Sequence, residues 1–248
     1  MLHARPGADR AAVVLAGALL VIGFGALLVT NAFHPGGNPN DHVGSFSLYA
    51  RSNGWTADHL AIFGANALTI TGLLVVIAAM NLRDGLPALV ARIGTVATGV
   101  VLALTALRFA VDGVILKRAV DAWANAPDSD KAIRFANAET VRWMEEAVSS
   151  YQSVVLGLSL ILLGALIVWT ARIPRPIGVL LAVGGAGYIV TGWVLGEAGF
   201  APQGALPNMI GQDLTVLAGI YLLISGWRMP ASSQRPDGGA TRREERYA

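Results

Sequence analysis

The stretch HLAIFGANALTITGLLVVIAAMNL, residues 59–82, decides the fold, because none of its 24 positions holds Asp, Glu, Lys or Arg. A helix rises about 1.5 Å per residue, so about twenty apolar residues cross the roughly 30 Å hydrocarbon core of a bilayer. Arg83, Asp84 and Gly85 then end the run with two charges and a helix breaker. The stretch therefore predicts a transmembrane helix.

Five further apolar runs are long enough to span: 11–33, 88–116, 132–170, 176–197 and 209–228. Charged residues make up 14% of the 248 residues, against about 25% in soluble domains. The first run is longer than the roughly 7–15 apolar residues of a signal peptide, so we expect a retained helix. We predict an all-α protein in which residues 1–228 form a polytopic six-helix transmembrane bundle with an extracytoplasmic cap of helix and loop. A disordered cytoplasmic tail, 229–248, would follow.

Lys and Arg are distributed unevenly between the two ends of this bundle. With the N-terminus inside, eleven of the 18 lie on the inner side and five on the outer side, while Arg108 and Arg142 lie on helices near the outer interface. Because positive residues mark cytoplasmic segments, we predict a multi-pass protein of the cell (plasma) membrane with both termini in the cytoplasm.

The acidic residues show the opposite bias. Eleven of the 16 lie at the outer end, which gives that end a net charge of −4 and the inner side +6. The basic inner face predicts contact with anionic inner-leaflet lipids. It also accounts for the sequence pI of about 9.2 without nucleic acid as a partner.

Two outer segments are too long to be simple turns. Residues 34–58 are rich in Gly, Pro, Asn and Ser, which predicts an irregular loop. Residues 117–138 are rich in Ala and are interrupted at Pro127, which predicts a helical hairpin that continues into the fourth spanning helix. Together these segments would form the cap.

Polar side chains from several predicted helices reach the outer end at a similar depth, counted from the inner ends of the helices. Because polar groups near hydrocarbon are costly, they are candidates for binding a ligand. The candidates are Asn66, Arg108, Asp112, Glu145, Gln152 and Asp213.

The spacing of these residues suggests ion pairs. Arg108 and Asp112 are four residues apart, so they share a helix face and can pair. Asp213 lies inside an apolar run, where an unpaired charge is expensive. We therefore hypothesise that Arg108 pairs with Asp213 or with Glu145. The alternative interpretation is that all these groups are solvated or paired for structural reasons alone.

Three residues on or beside the first outer segment form a separate candidate site: His34, Asp41 and His59. Two imidazoles and a carboxylate can bind Zn²⁺ or a similar ion, although this spacing matches no established motif and structural hydrogen bonding is the alternative. We therefore expect no cofactor, with a divalent metal as the alternative. The chain has no cysteine, which excludes disulfides and thiolate ligands.

Four short motifs follow one another in the first two-thirds of the chain: His34-Pro35, Asp41, Trp55-x-x-x-His59 and Arg108-x-x-x-Asp112-Gly113. In this order they resemble a group of uncharacterised bacterial multi-pass membrane proteins of unknown function. The resemblance implies a membrane fold and no activity. It draws attention to His34, Asp41 and His59.

Three classes of function follow from these observations. We expect a membrane protein, rather than an enzyme, that binds a small ligand, a lipid or a membrane protein partner at a polar extracytoplasmic cup. The first alternative is a membrane metalloprotein or enzyme that uses His, Asp and Glu at the outer face. The second is a transporter or channel, for which no polar path to the cytoplasm is visible. The sequence contains no Walker A loop, dinucleotide fingerprint, nucleophile elbow or zinc-protease motif, and we assign no catalytic residue.

Overall fold

The computed structural model describes residues 8–230, and over this range it consists of helices and short connections, with no β-strand. The helices are α1 (Arg10–Asn31), α2 (His42–Arg51), α3 (Trp55–Ala79), α4 (Gly85–Ala110), α5 (Lys117–Ala124), α6 (Asp128–Thr170), α7 (Arg175–Ala198) and α8 (Ala205–Arg228). A π-helix, Val111–Leu116, joins α4 to α5 without a break. The predicted disordered tail lies almost wholly outside the described residues.

Within residues 8–230, six segments are long and apolar enough to cross a bilayer. They are Arg10–Asn31, Trp55–Ala79, Gly85–Ala124, Asp128–Thr170, Arg175–Ala198 and Pro202–Arg228. The prediction of an all-α, six-helix transmembrane class is confirmed. The protein is therefore a multi-pass integral membrane protein.

The connections define two ends of the bundle. The cap end carries α2, the π-helix, α5, the first turns of α6 and the connection 199–204. The terminal end carries the start of α1, the end of α8 and the tight connections 80–84 and 171–174. These two names are used below without reference to the sides of the membrane.

Several helices begin earlier than their apolar runs predict. Helix α3 begins at Trp55 rather than at 59, α6 at Asp128 rather than at 132, and α8 at Ala205 rather than at 209. A polar turn outside the hydrocarbon still forms helical hydrogen bonds, so a fall in hydropathy does not mark the end of a helix. With 43 residues α6 is about 65 Å long, about twice the thickness of the hydrocarbon core.

The prediction of an irregular loop over 34–58 is wrong in part, because this segment contains α2. The carboxylate of Asp41 caps that helix and accepts a hydrogen bond of 3.0 Å from the backbone N–H of Gly44. The rings of Phe46 and Tyr49, on α2, are buried within the cap. A helix this short is stabilised by tertiary packing, which its Gly- and Ser-rich sequence does not reveal.

The terminal half of the bundle is filled with apolar side chains. Leu20, Leu73 and Leu222, from α1, α3 and α8, are buried there with residues of α4, α6 and α7. Helices α6 and α7 pack glycine against glycine, so closely that a Cβ on Gly178 would lie 2.6 Å from the carbonyl oxygen of Gly164. This half of the bundle is therefore tightly packed.

A second apolar cluster builds the cap. Its buried members include Phe46 and Tyr49 of α2, Trp55 at the start of α3, Leu116 of the π-helix and Val120 of α5. The cluster fixes the start of α3 beside the end of α4. That arrangement positions the polar groups described next.

Candidate functional site

A buried hydrogen-bonded pair, His59 of α3 and Asp112 of the π-helix, lies at the cap end; the two residues are 2% and 6% exposed. His59 Nε2 lies 3.0 Å from Asp112 Oδ2, and His59 Nδ1 lies 2.8 Å from the carbonyl oxygen of Trp55. A carbonyl oxygen only accepts, so Nδ1 carries a proton and donates it. Nε2 and Oδ2 then hold one further proton between them. The pair is either imidazolium with carboxylate or neutral imidazole with carboxylic acid.

The π-helix brings Asp112 to His59. The carbonyl oxygens of Asp112 and Gly113 accept hydrogen bonds of 3.0 Å from Trp55 Nε1 and Thr56 Oγ1. A Cβ on Gly113 would lie 2.6 Å from the Cβ of His59, so a residue without a side chain is needed there. Single π-helical turns inside α-helices are frequent at functional sites.

A buried ion pair on α6 lies close to these groups. Arg142 Nη1 donates to Glu145 Oε2 at 2.5 Å, and both side chains are buried. Arg142 also donates to the carbonyl oxygen of Pro39 at 3.4 Å, and its guanidinium lies 4.5 Å from the ring centre of Phe200. Arg142 thereby ties two cap-end connections to α6.

These two pairs interact electrostatically, and we call the four residues the cap cluster: His59, Asp112, Arg142 and Glu145. Asp112 Oδ1 and Arg142 Nε are buried and have no hydrogen-bond partner among the described residues; the same holds for the hydroxyl of Ser149. Buried polar atoms are usually satisfied, because leaving them unpaired costs about 1–3 kcal/mol each. The unpaired atoms of the cap cluster and of Ser149 therefore lower the free energy of unfolding.

A cavity with an empty volume of about 720 Å³ lies between the spanning helices, on the cap side of the apolar core; we call it the bundle cavity. This figure includes space that is open to the outside, and the part that the centres of water-sized spheres can reach measures about 90 Å³. Leu73 and Leu160 belong both to the cavity wall and to the apolar core of the terminal half, so the core closes the cavity on that side.

Amide and hydroxyl groups make up the polar wall of the bundle cavity. Asn66 of α3, Gln152 of α6 and Asn208 and Gln212 of α8 contribute amides. Arg108 of α4 is the one charged side chain among the described residues that line it. The wall therefore offers hydrogen bonds from several helices and a positive charge from one.

The guanidinium of Arg108 is held loosely. Its Nη1 donates to Gln152 Oε1 at 3.4 Å, and Gln152 Nε2 donates in turn to Thr105 Oγ1 at 3.1 Å. Arg108 Nε is buried without a hydrogen-bond partner among the described residues, and the guanidinium lies 5.2 Å from the ring centre of Phe109. No described carboxylate lies within 4.0 Å of Arg108, so its charge is not neutralised by a direct ion pair.

The structure separates the six candidate ligand-binding residues into three groups. Asn66, Arg108 and Gln152 line the bundle cavity together. Asp112 and Glu145 belong to the cap cluster. Asp213 is exposed on α8 and does not line the cavity, whereas its neighbour Gln212 does.

The predicted ion pairs of Arg108 are wrong. Glu145 pairs with Arg142, three residues before it on α6. Asp112 pairs with His59, because the π-helix changes the register after Ala110 and the i, i+4 relation of an α-helix no longer applies. Asp213 is exposed on α8 and forms no ion pair with Arg108.

The three candidate metal ligands are not brought together. The rings of His34 and His59 lie 5.2 Å apart, but both nitrogens of His59 are engaged in hydrogen bonds, and Asp41 caps α2. Among the described residues, no group of three or more His, Cys, Asp or Glu could hold a metal ion. Structural hydrogen bonding accounts for the geometry of His59 and Asp41.

Two titratable groups of the cap lie outside the spanning segments. Burial, together with the charge of nearby His59, lowers the pKa of His34 below its ordinary value. Burial also raises the pKa of Tyr49 above its ordinary value. Both groups are therefore favoured in their neutral forms.

Sequence reasoning did not single out three residues that line or support the cavity: Thr105, Tyr188 and Asn208. A signal for Asn208 was available, because Asn208, Gln212 and Thr215 follow an i, i+4, i+7 pattern on one face of α8. Tyr188 and Thr105 carry no such signal, because hydroxyl side chains are common in apolar helices.

Neither a family model, nor a curated protein, nor a solved structure matches the chain. The resemblance to bacterial multi-pass proteins therefore stays a prediction that rests on the motifs alone. Function is argued from the site itself.

Proposed function

We propose that this protein is a binding protein whose ligand is a small amphipathic anion, such as a fatty-acid carboxylate, held in the bundle cavity. One observation carries the proposal: Arg108 is the one charged group on the described cavity wall and has no carboxylate partner within 4.0 Å. A cation in a partly buried, amide-lined site favours an anion.

The two ends of such a ligand match different parts of the cavity. The anionic group would accept hydrogen bonds from Arg108 and from the amides of Gln152 and Asn66. The apolar chain would lie along Phe24 and Leu73 towards the apolar core. Hydrogen bonds to a charged group are worth about 1.5–3 kcal/mol, so the head group would determine most of the selectivity.

The packing of the terminal half supports binding over transport. A transporter or channel needs a polar path through the bundle, whereas aliphatic side chains fill the terminal half below Leu73 and Leu160. A cavity that the apolar core closes on the side of the terminal end fits a binding site that is reached from one side of the membrane.

We further propose that the cap end faces outward from the plasma membrane and that both termini are cytoplasmic. The support is the distribution of Lys and Arg, with eleven of 18 in the segments of the terminal end and beyond it. The basic terminal end would then contact anionic inner-leaflet lipids.

The test measures the binding of decanoate and of the neutral isostere 1-decanol to the purified protein in detergent, by isothermal titration calorimetry. Decanoate should bind, and Arg108→Gln should weaken it about 10- to 100-fold, which corresponds to the loss of one charge-assisted interaction of about 1.5–3 kcal/mol. The variant Arg134→Gln, which removes an exposed charge of the cap, is the matched control and should bind normally.

Two results would overturn the proposal. If 1-decanol binds as tightly as decanoate, the charge of Arg108 does not select the ligand. If Arg108→Gln and Arg134→Gln weaken decanoate equally, the anion binds to the general positive charge of the surface and not in the cavity.

A further inference from the structure

A groove with an empty volume of about 1,480 Å³ lies between α6 and α7 at the cap end, separate from the bundle cavity. None of the residues that line it also lines the bundle cavity. The groove is partly open to the outside, and its residues belong to spanning helices and to cap-end connections. It therefore extends from the hydrocarbon towards the membrane surface.

Small residues form the floor of the groove. Ser150 Oγ donates to the carbonyl oxygen of Gly192 at 2.7 Å, which joins α6 to α7 directly. A Cβ on Gly192 would lie 2.8 Å from the carbonyl oxygen of Ser150, and one on Gly196 would lie 3.0 Å from its hydroxyl. Larger side chains cannot occupy these positions, so the surface between the two helices stays concave.

Aromatic side chains line the walls of the groove. Trp143, Tyr151 and Trp193 are 55%, 70% and 69% exposed, although each offers a large apolar ring. Trp and Tyr are enriched where the head groups of a bilayer meet its acyl chains. The aromatic walls therefore place the groove at the depth of that boundary.

The charge on the groove wall is negative. Glu146 and Glu197 contribute carboxylates, and no Lys or Arg is among the described residues that line the groove. Arg142 Nε forms an ion pair with Glu146 Oε1 at 3.8 Å, which is longer than the contact of Arg142 with Glu145. His42 also lines the groove, and its Nδ1 lies 3.0 Å from Glu139 Oε1. Glu197 is exposed and forms no ion pair within 4.0 Å in the described chain.

We propose that this groove binds one phospholipid of the cap-end leaflet whose head group ends in a primary ammonium, as in phosphatidylethanolamine. The ammonium has three N–H donors and matches the carboxylates of Glu146 and Glu197. The acyl chains lie along Tyr151, Val154 and Trp193, where the groove enters the hydrocarbon. The quaternary ammonium of phosphatidylcholine carries the charge but has no N–H to donate, and phosphatidylglycerol has no cationic group at all.

The experiment is native mass spectrometry of the full-length protein in micelles that contain equal amounts of dioleoyl phosphatidylethanolamine, phosphatidylcholine and phosphatidylglycerol. Phosphatidylethanolamine should be the most abundant bound lipid, with at least fivefold higher occupancy than either competitor. The variant Glu146→Gln/Glu197→Gln should lose this preference at least fivefold. The control variant Asp128→Asn/Asp130→Asn removes two exposed carboxylates of the cap end and should retain it.

A second pair of variants tests the groove without changing its charge. Trp193→Ala should lower the amount of bound phosphatidylethanolamine, whereas Trp227→Ala, an equally exposed tryptophan at the terminal end, should not. Equal occupancy of the three lipids in the unaltered protein would overturn the proposal. So would an unchanged preference in the glutamine variant, or a lipid-free dimer that buries Trp193.

Discussion

His59 and Asp112 share one proton at a place where ionised groups are expensive. Burying an ion costs several kcal/mol, and an oppositely charged partner offsets this cost only when the remaining hydrogen bonds of both groups are also formed. His59 achieves this with the carbonyl oxygen of Trp55, whereas Asp112 keeps one buried oxygen without a partner in the described chain. Each residue therefore depends on the other for its stability.

This dependence predicts a large effect of Asp112→Ala. Removing the carboxylate leaves His59 buried beside an unfilled space, and breaking such a pair from one side costs about 3–5 kcal/mol. The measurement is the free energy of unfolding in detergent, followed by circular dichroism. Asp213→Ala is the matched control, because the same deletion on an exposed carboxylate should change stability by about 0.5 kcal/mol or less. Equal effects of the two variants would contradict the buried pair.

His34 makes the stability of the cap dependent on pH. Its pKa in the folded protein is lowered from the ordinary value of 6.5 by burial and by the charge of His59, so the folded protein binds the proton more weakly than the unfolded chain. The contribution of His34 to the free energy of unfolding should therefore be fully present above about pH 6.5 and should be lost as the pH decreases below that value.

The measurement is the melting temperature between pH 8 and pH 5, where about half of the range lies below the ordinary pKa of histidine. His34→Gln should flatten the decline, because glutamine has no proton to gain. A decline that is identical in the variant and in the unaltered protein would show that another group is responsible.

Depth counting along the sequence predicted which polar groups lie at one level for three of the six candidates, but it did not predict their partners. Asn66, Arg108 and Gln152 do converge, because their distances from the helix ends place them at one level. The partners depend on rotation about each helix axis, which the π-helix alters for Asp112 and which leaves Asp213 exposed on α8. Hydropathy gives depth reliably and gives rotation only where the apolar face is narrow.

Among the elements, the π-helix Val111–Leu116 matters most for the site. It lies inside a continuous helical segment, Gly85–Ala124, and leaves carbonyl oxygens free to accept hydrogen bonds from Trp55 and Thr56. Asp112 and Gly113 are poor helix formers, but the apolar run continues on both sides of them, so hydropathy predicts an unbroken α-helix and not a π-helix. The six spanning helices could be predicted, because each contains an apolar run of about twenty residues.

A glycine substitution tests the approach of α3 to the π-helix. Gly113→Ala places a methyl group 2.6 Å from the Cβ of His59, and overpacking of this kind typically costs about 1–3 kcal/mol. Gly99→Ala is the control on α4, because no atom lies within 4 Å of its new methyl group. That control should be neutral or more stable, by up to about 1 kcal/mol. Thermal unfolding of both variants in one detergent gives the comparison, and a stable Gly113→Ala would contradict the close contact.

At the scale of the whole molecule, the two halves of the bundle differ in what fills them. The terminal half holds a continuous aliphatic core, whereas the cap half holds the bundle cavity and the cap cluster. Glycine contacts between α6 and α7 make the first half compact, and the projecting turns of α6 build the cap around the second. A closely packed terminal half next to a cap half that contains a polar cavity is the arrangement expected of a binding site on one face of a membrane.

The orientation of the bundle is the property of the whole molecule that most affects this interpretation, and the chain allows a direct test because it contains no cysteine. Single cysteines at Gly36 and Asp84 would lie in exposed connections at the cap end and at the terminal end. The excess of Lys and Arg at the terminal end predicts that it stays in the cytoplasm. A membrane-impermeant maleimide added to intact cells should therefore label Gly36→Cys, and should label Asp84→Cys only after the membrane is opened. The reverse pattern would place the cavity and the groove in the cytoplasmic half, where the cell's own metabolites, rather than molecules from outside, would be the candidate anions.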